Sequence, residues 1–170
     1  DTRTHEVTRT LDMPQGERSC DNRNQNYGIT ADTKGRVWVT GANCDDAMGY
    51  DPALDAWTRV DTSAYRIPTQ RGISVDDTGR VWMMAGEDNA QPGLFLWEAD
   101  SFVPGGTVRD FGFVPFPSNV RGPAGLGFDR DGNGWALFYL SSHLARINPR
   151  TLRIQLYTGP NQPYTYSDFT

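Results

Sequence analysis

Short apolar runs broken by Gly, Pro, Asp and Asn recur along the chain, and nowhere does a 3.6-residue apolar period persist. That pattern predicts strands and tight turns in place of helices. Three of the runs share one grammar. Gly28-Ile-Thr-Ala-Asp32 leads to Gly35-Arg-Val-Trp38, Gly72-Ile-Ser-Val-Asp76 to Gly79-Arg-Val-Trp82, and Gly125-Leu-Gly-Phe-Asp129 to Gly132-Asn-Gly-Trp135. The leading glycines lie 44 and then 53 residues apart, while Asp, Gly and Trp keep the same offsets inside each unit. A repeat of this period marks a fold built by stacking one supersecondary unit.

Each unit reads as four strands. A short extended run (29–31, 73–75) meets an Asp-x-x-Gly turn, in which the Asp side chain bonds forward to backbone amides and the Gly takes positive φ. A second strand follows over 36–40, 80–84 and 134–139, and a third over 47–51, 93–98 and 143–148. The first and last of these third strands end in an Asp51-Pro52 or Asn148-Pro149 turn. A fourth alternates at 57–60, 107–111 and 152–157. Four antiparallel strands per repeat, with Gly-Arg-Val-Trp entering the second, describe a β-propeller blade. The expected fold is therefore all-β, with three complete blades at about 27–66, 71–117 and 124–158, plus partial-blade strands at 3–12 and 163–170. Trp38, Trp82 and Trp135 are expected to fill the spaces between blades.

These blades resemble the streptogramin-lyase (Vgb-like) propellers, and more loosely the NHL and SMP-30/gluconolactonase propellers. The residues that carry the resemblance are Tyr27-Gly-Ile-Thr, Asp32-x-x-Gly-Arg-Val-Trp-Val-Thr40 and their counterparts in the next two units. It implies a ring of six or seven blades. Three blades and two loose strands do not close such a ring. The chain is then expected to be a segment of a larger propeller, or to form a ring from several copies. Pairing of the two loose strands with each other is a third arrangement. The resemblance also brings lyase chemistry into view, with a His before the first strand and a Glu after the second. Those positions hold Tyr27, Arg71 and Ala124, and Gly41, Ala85 and Phe138, so the acid–base pair does not carry over to these blades.

Composition narrows the function. The net charge of −5 argues against a nucleic-acid partner, which needs a concentrated basic face. No apolar run approaches the ~18 residues of a membrane helix. Fifteen arginines against the single Lys34 point to biased composition more than to a binding need. Polar loops gather on one propeller face: the segments entering each first strand, and the connections between second and third strands. Cys20 and Cys44 fall in two such loops of the first blade and are expected to form a disulfide, with two buried thiols as the alternative. A disulfide would imply an extracellular or periplasmic location.

The same face collects Asp21, Asp45, Asp46, Glu87 and Asp88, with Tyr27 and Arg71 at the channel mouth and His143 nearby. These are the candidate ligand-binding residues. Carboxylates in this number suit Ca²⁺ or Mg²⁺ or a cationic ligand, or else form a solvated acidic surface. Asp129-Arg-Asp131-Gly-Asn133 looks like half a calcium loop, but it sits where the other blades carry an ordinary turn. The sequence thus predicts a non-enzymatic binding or assembly scaffold, whose partner is a further copy, the remainder of a propeller, or a protein or small-molecule ligand. A piece of a lyase or lactonase is the enzymatic alternative, and a self-assembling structural protein the third.

Overall fold

The computed structural model describes residues 6–7, 9–14, 20–44, 46–65, 67, 70–86 and 91–159, with backbone only at 20–26, 42–44 and 70. Three antiparallel sheets follow one another along the chain. The first holds β1 (Cys20–Ala31), β2 (Val37–Cys44), β3 (Asp46–Asp51) and β4 (Ala56–Asp61). The second holds β5 (Gln70–Val75), β6 (Arg80–Ala85), β7 (Gly93–Glu98) and, beyond the short β8 (Thr107–Val108), β9 (Gly112–Pro115). The third runs β10 (Pro123–Phe128), β11 (Gly134–Phe138), β12 (His143–Ile147) and β13 (Ile154–Thr158). This is the all-β propeller arrangement that the repeat predicts.

Two placements differ from expectation. The alternating segment 107–111 is not the fourth strand of the second blade. Thr107 and Val108 pair in parallel with Arg59 and Val60, extending the first blade's sheet by one strand, and Gly112–Pro115 takes the fourth place beside β7. Gly105 and Gly106 cause the diversion. Gly105 N–H donates to the Trp57 carbonyl at 2.7 Å and Arg59 N–H to the Gly106 carbonyl at 3.0 Å, pinning the chain to the edge of β4. In addition, the polar entry to β1 is strand rather than loop from Cys20 onward, because it continues the ladder with β2. Of the loose strand expected over 3–12, the described residues lie outside any strand, and 163–170 fall outside the described residues.

The Asp-x-x-Gly turn explains why Asp, Gly and Trp keep their spacing. Asp76 Oδ1 accepts from the amides of Thr78 (3.0 Å) and Arg80 (2.9 Å), while Oδ2 accepts from the Trp82 indole at 2.8 Å. Asp129 does the same with Asp131, Asn133 and Trp135, and Asp32 with Lys34, Arg36 and, at 3.4 Å, Trp38. Gly35, Gly79 and Gly132 close these turns at φ of 80°, 87° and 79°. One carboxylate therefore shapes the turn and anchors the tryptophan six residues on. The carboxylate of the apparent half calcium loop is used in this way.

Blade two is apolar on both faces because it is buried on both. Val81, Met83, Phe95 and Trp97 pack toward blade one with Trp38, Ala47 and Val60. Trp82, Met84, Leu94 and Leu96 pack toward blade three with Leu126, Ala136, Phe138 and Ile147. Trp38 meets Trp97 edge-on at 5.7 Å, and Trp82 meets Phe128 at 5.3 Å. Trp135, the third repeat of this position, is only half-buried. Its one aromatic neighbour among the described residues is Tyr157 of its own blade, at 5.8 Å. Leu144 and Arg146 share that face and are half-buried, and Tyr157 is 37% exposed. The face also borders a polar cavity of about 610 Å³ lined by Arg146, Arg153 and Gln155.

The opposite end differs. Ile29 is 60% exposed, against 2% for its repeat partners Ile73 and Leu126. Yet Val39, Met48 and Tyr50 on the outer face of blade one are buried. Arg9 contributes to that cover, with its guanidinium 5.9 Å from the Tyr50 ring and 2.6 Å from the Asp55 carboxylate.

Candidate functional site at the blade convergence

The first strands of neighbouring blades approach closely where Gly follows Tyr27 and Arg71. A Cβ on Gly28 would sit 2.5 Å from the Arg71 carbonyl oxygen, and one on Gly72 would sit 2.8 Å from that of Ala124. Thr40, fully buried, bridges the first pair: its Oγ1 accepts from Gly28 N–H at 2.9 Å and donates to the Arg71 carbonyl at 2.6 Å. Tyr27 and Arg71 thereby become neighbours on adjacent blades. From blade three, Tyr139 follows β11, with its amide donating to the Gly122 carbonyl at 2.8 Å.

Three blades thus meet at one guanidinium. Arg71 Cζ lies 5.4 Å from the Tyr27 ring centroid and 4.7 Å from that of Tyr139, and its Nη2 donates to the Tyr139 hydroxyl at 3.4 Å. Cation–π contact of this kind stabilises a partly buried guanidinium by about 0.5–2 kcal/mol. The Arg71 Nε–H is buried and meets no acceptor among the described residues. Tyr139 was not among the residues expected here; the aromatic ending its strand pattern, one position past Phe138, was the available signal.

The other expected residues divide. Asp46 is withdrawn from the acidic face, fully buried and ion-paired with Arg59 Nε at 2.9 Å. His143 opens β12 opposite Phe138 and Thr158, half-buried, with its Nδ1 buried and without a hydrogen-bond partner among the described residues; no described contact joins it to Arg71. Asp45, Glu87 and Asp88 lie outside the described residues. Cys20 and Cys44 face each other in the β1–β2 register, with backbone alone described. Among the described residues no group of three or more His, Cys, Asp or Glu is arranged to hold a metal ion.

No family model matches the chain, and no curated protein matches it. Solved structures do. Virginiamycin B lyase from Staphylococcus aureus superposes with a TM-score of 0.60 at 20% identity, over 83% of this chain and 44% of the lyase. A streptogramin B lyase gives 0.66 at 17% identity, over 89% and 47%. The fold is that of the streptogramin-lyase propellers. PorZ, a surface component of the type-IX secretion system of Porphyromonas gingivalis, shares it at a TM-score of 0.56 and 15% identity, over 78% of this chain and 20% of PorZ. This propeller chain spans less than half the length of the lyases it matches. Two of the positions expected to bear the lyase Glu, Ala85 and Phe138, are fully buried in the cores between blades.

Proposed function

We propose that this chain is a non-enzymatic propeller segment that serves as a binding or assembly scaffold outside the cell or in the periplasm. The observation that carries the reading is the unequal fate of one repeated tryptophan. Trp38 and Trp82 are sealed by the next blade, whereas Trp135 stays half-buried beside Leu144 and an exposed Tyr157. Repeat units bury their apolar faces only against a neighbour. The outer face of blade three is suited to a further blade, and in a solution of this chain alone that blade belongs to a second copy. Sedimentation velocity on Leu144→Glu/Tyr157→Glu tests this. The double variant sediments as a folded 19 kDa monomer while the unmodified chain forms larger species; identical sedimentation of the two contradicts the reading.

An extracellular or periplasmic setting is supported by the likeness to a bacterial surface component and by the register of Cys20 opposite Cys44, which suits a disulfide. No helix among the described residues is long and apolar enough to cross a membrane. Intact mass with and without reductant checks the bridge: a gain of about 2 Da on reduction is expected for one disulfide, and an unchanged mass removes it. The acidic loop residues Asp45, Glu87 and Asp88 carry a proposed Ca²⁺ or Mg²⁺ site, checked by a rise in melting temperature with either ion.

The fold likeness to lyases favours a second reading, a part of a lyase whose acid–base residues lie in other blades. Turnover of quinupristin, the compound held by one S. aureus virginiamycin B lyase structure, distinguishes it.

A further inference from the structure

We propose that the blade convergence at Arg71 is an oxyanion-binding site that receives a carboxylate or phosphate group on the terminal nitrogens of its guanidinium. The site needs only the three described blades, so it stands apart from how the outer face of blade three is completed.

The first observation is charge. The other partly or fully buried arginines described in blades one and two each meet a carboxylate: Arg36 meets Asp32 at 2.6 Å, Arg59 meets Asp46 at 2.9 Å, and Arg80 meets Asp76 at 3.2 Å. Arg71 meets none among the described residues, although it is half-buried. A partly desolvated cation without a counter-charge is costly, and proteins seldom retain one without a use.

The second observation is the state of its donors. A guanidinium offers five N–H groups in a planar fork. Only one is engaged among the described residues, at the long distance of 3.4 Å to Tyr139. Nε is buried without a partner, and Nη1 makes no hydrogen bond among the described residues. Tyr27 and Tyr139 hold the group through ring contacts, which do not use up its N–H donors. A fork held this way pairs with two oxygens of a planar carboxylate or of a phosphate, a geometry that a lysine ammonium cannot reproduce. Because the Tyr27 and Tyr139 contacts come from the blades on either side of Arg71, the fork is positioned before any ligand arrives, which lowers the ordering cost of binding.

Sodium benzoate and inorganic phosphate serve as probes, titrated into the full chain by calorimetry against sodium chloride at matched ionic strength. The expected result is saturable binding of at least one probe beyond the chloride control. Benzoate alone assigns a carboxylate ligand, phosphate alone a phosphate ligand, and both an unspecialised oxyanion site. Arg71→Lys weakens the binding about tenfold or more, the effect of losing a charge-assisted bidentate contact. Arg71→Gln abolishes it, with circular dichroism as the check on folding; should that variant unfold, the lysine variant decides. Arg150→Gln, at an exposed arginine in the turn after β12, leaves the binding in place. The proposal is overturned if neither probe exceeds chloride, if Arg71→Lys binds as tightly as the unmodified chain, or if Arg150→Gln weakens the binding as much as Arg71→Lys does.

Discussion

The indole N–H of Trp82 donates to Asp76 Oδ2 at 2.8 Å, with both groups buried between blades two and three. The bond ties a turn at the end of one strand to the packing of the next. Asp76→Ala strands the indole donor and two turn amides at once. The expected loss is about 3 kcal/mol of unfolding free energy, measured by urea titration. Asp129→Ala, on the half-exposed third copy of the turn, costs less. Equal losses for the two variants would remove the argument that burial sets the value of this clamp.

Acid weakens the same turns. Burial alone raises the Asp76 pKa, but hydrogen bonds from Thr78, the Arg80 amide and Trp82, with the Arg80 charge, outweigh it and hold the carboxyl below its ordinary value. Asp32 is lowered by the same balance, through Arg36 and Trp38. A carboxyl depressed in the folded state stabilises above its unfolded pKa of about 3.9, and that contribution is lost as pH falls through the folded value. The urea midpoint should therefore vary little from these groups between about pH 5 and 8 and fall below about pH 4. Asp76→Asn flattens the acid limb; an undiminished acid limb in that variant would count against the assignment.

Gly72 is present because a neighbouring backbone leaves no room for a side chain. A Cβ there would lie 2.8 Å from both the Ala124 carbonyl oxygen and the Leu126 amide nitrogen, neither of which can swing aside. Gly72→Ala should cost about 2–3 kcal/mol, the usual range for forced overpacking. Thermal melting of this variant beside Ser74→Ala, two residues along the same strand, provides the comparison; equal melting temperatures would mean that the strands are less tightly apposed.

The blades were legible because Asp, Gly and Trp sit at fixed offsets, and each offset has a physical cause in the turn, its positive φ and the indole bond. Segment 107–111 was misplaced for a reason of the same kind. Alternation marks a strand without saying which sheet it joins, and the Gly105-Gly106 approach to β4 decides that. The polar run 20–26 reads as loop by composition, yet its backbone continues a ladder. At the mouth, Tyr27 and Arg71 could be found from their shared repeat position. Tyr139 could not be paired with them, since it holds a different repeat position and meets Arg71 only across the boundary between blades two and three. Asp46 looked like its acidic neighbours, and only the cross-strand position of Arg59 shows that its charge is spent internally.

If another blade completes the Trp135 face of blade three, the unmodified chain associates with itself. Light scattering across a dilution series of the unmodified chain measures that association. The expected result is a mass above 19 kDa that falls toward 19 kDa on dilution, with tryptophan fluorescence shifting to the red as the face becomes solvated. A mass of 19 kDa at every concentration, with unchanged fluorescence and full stability, would contradict it.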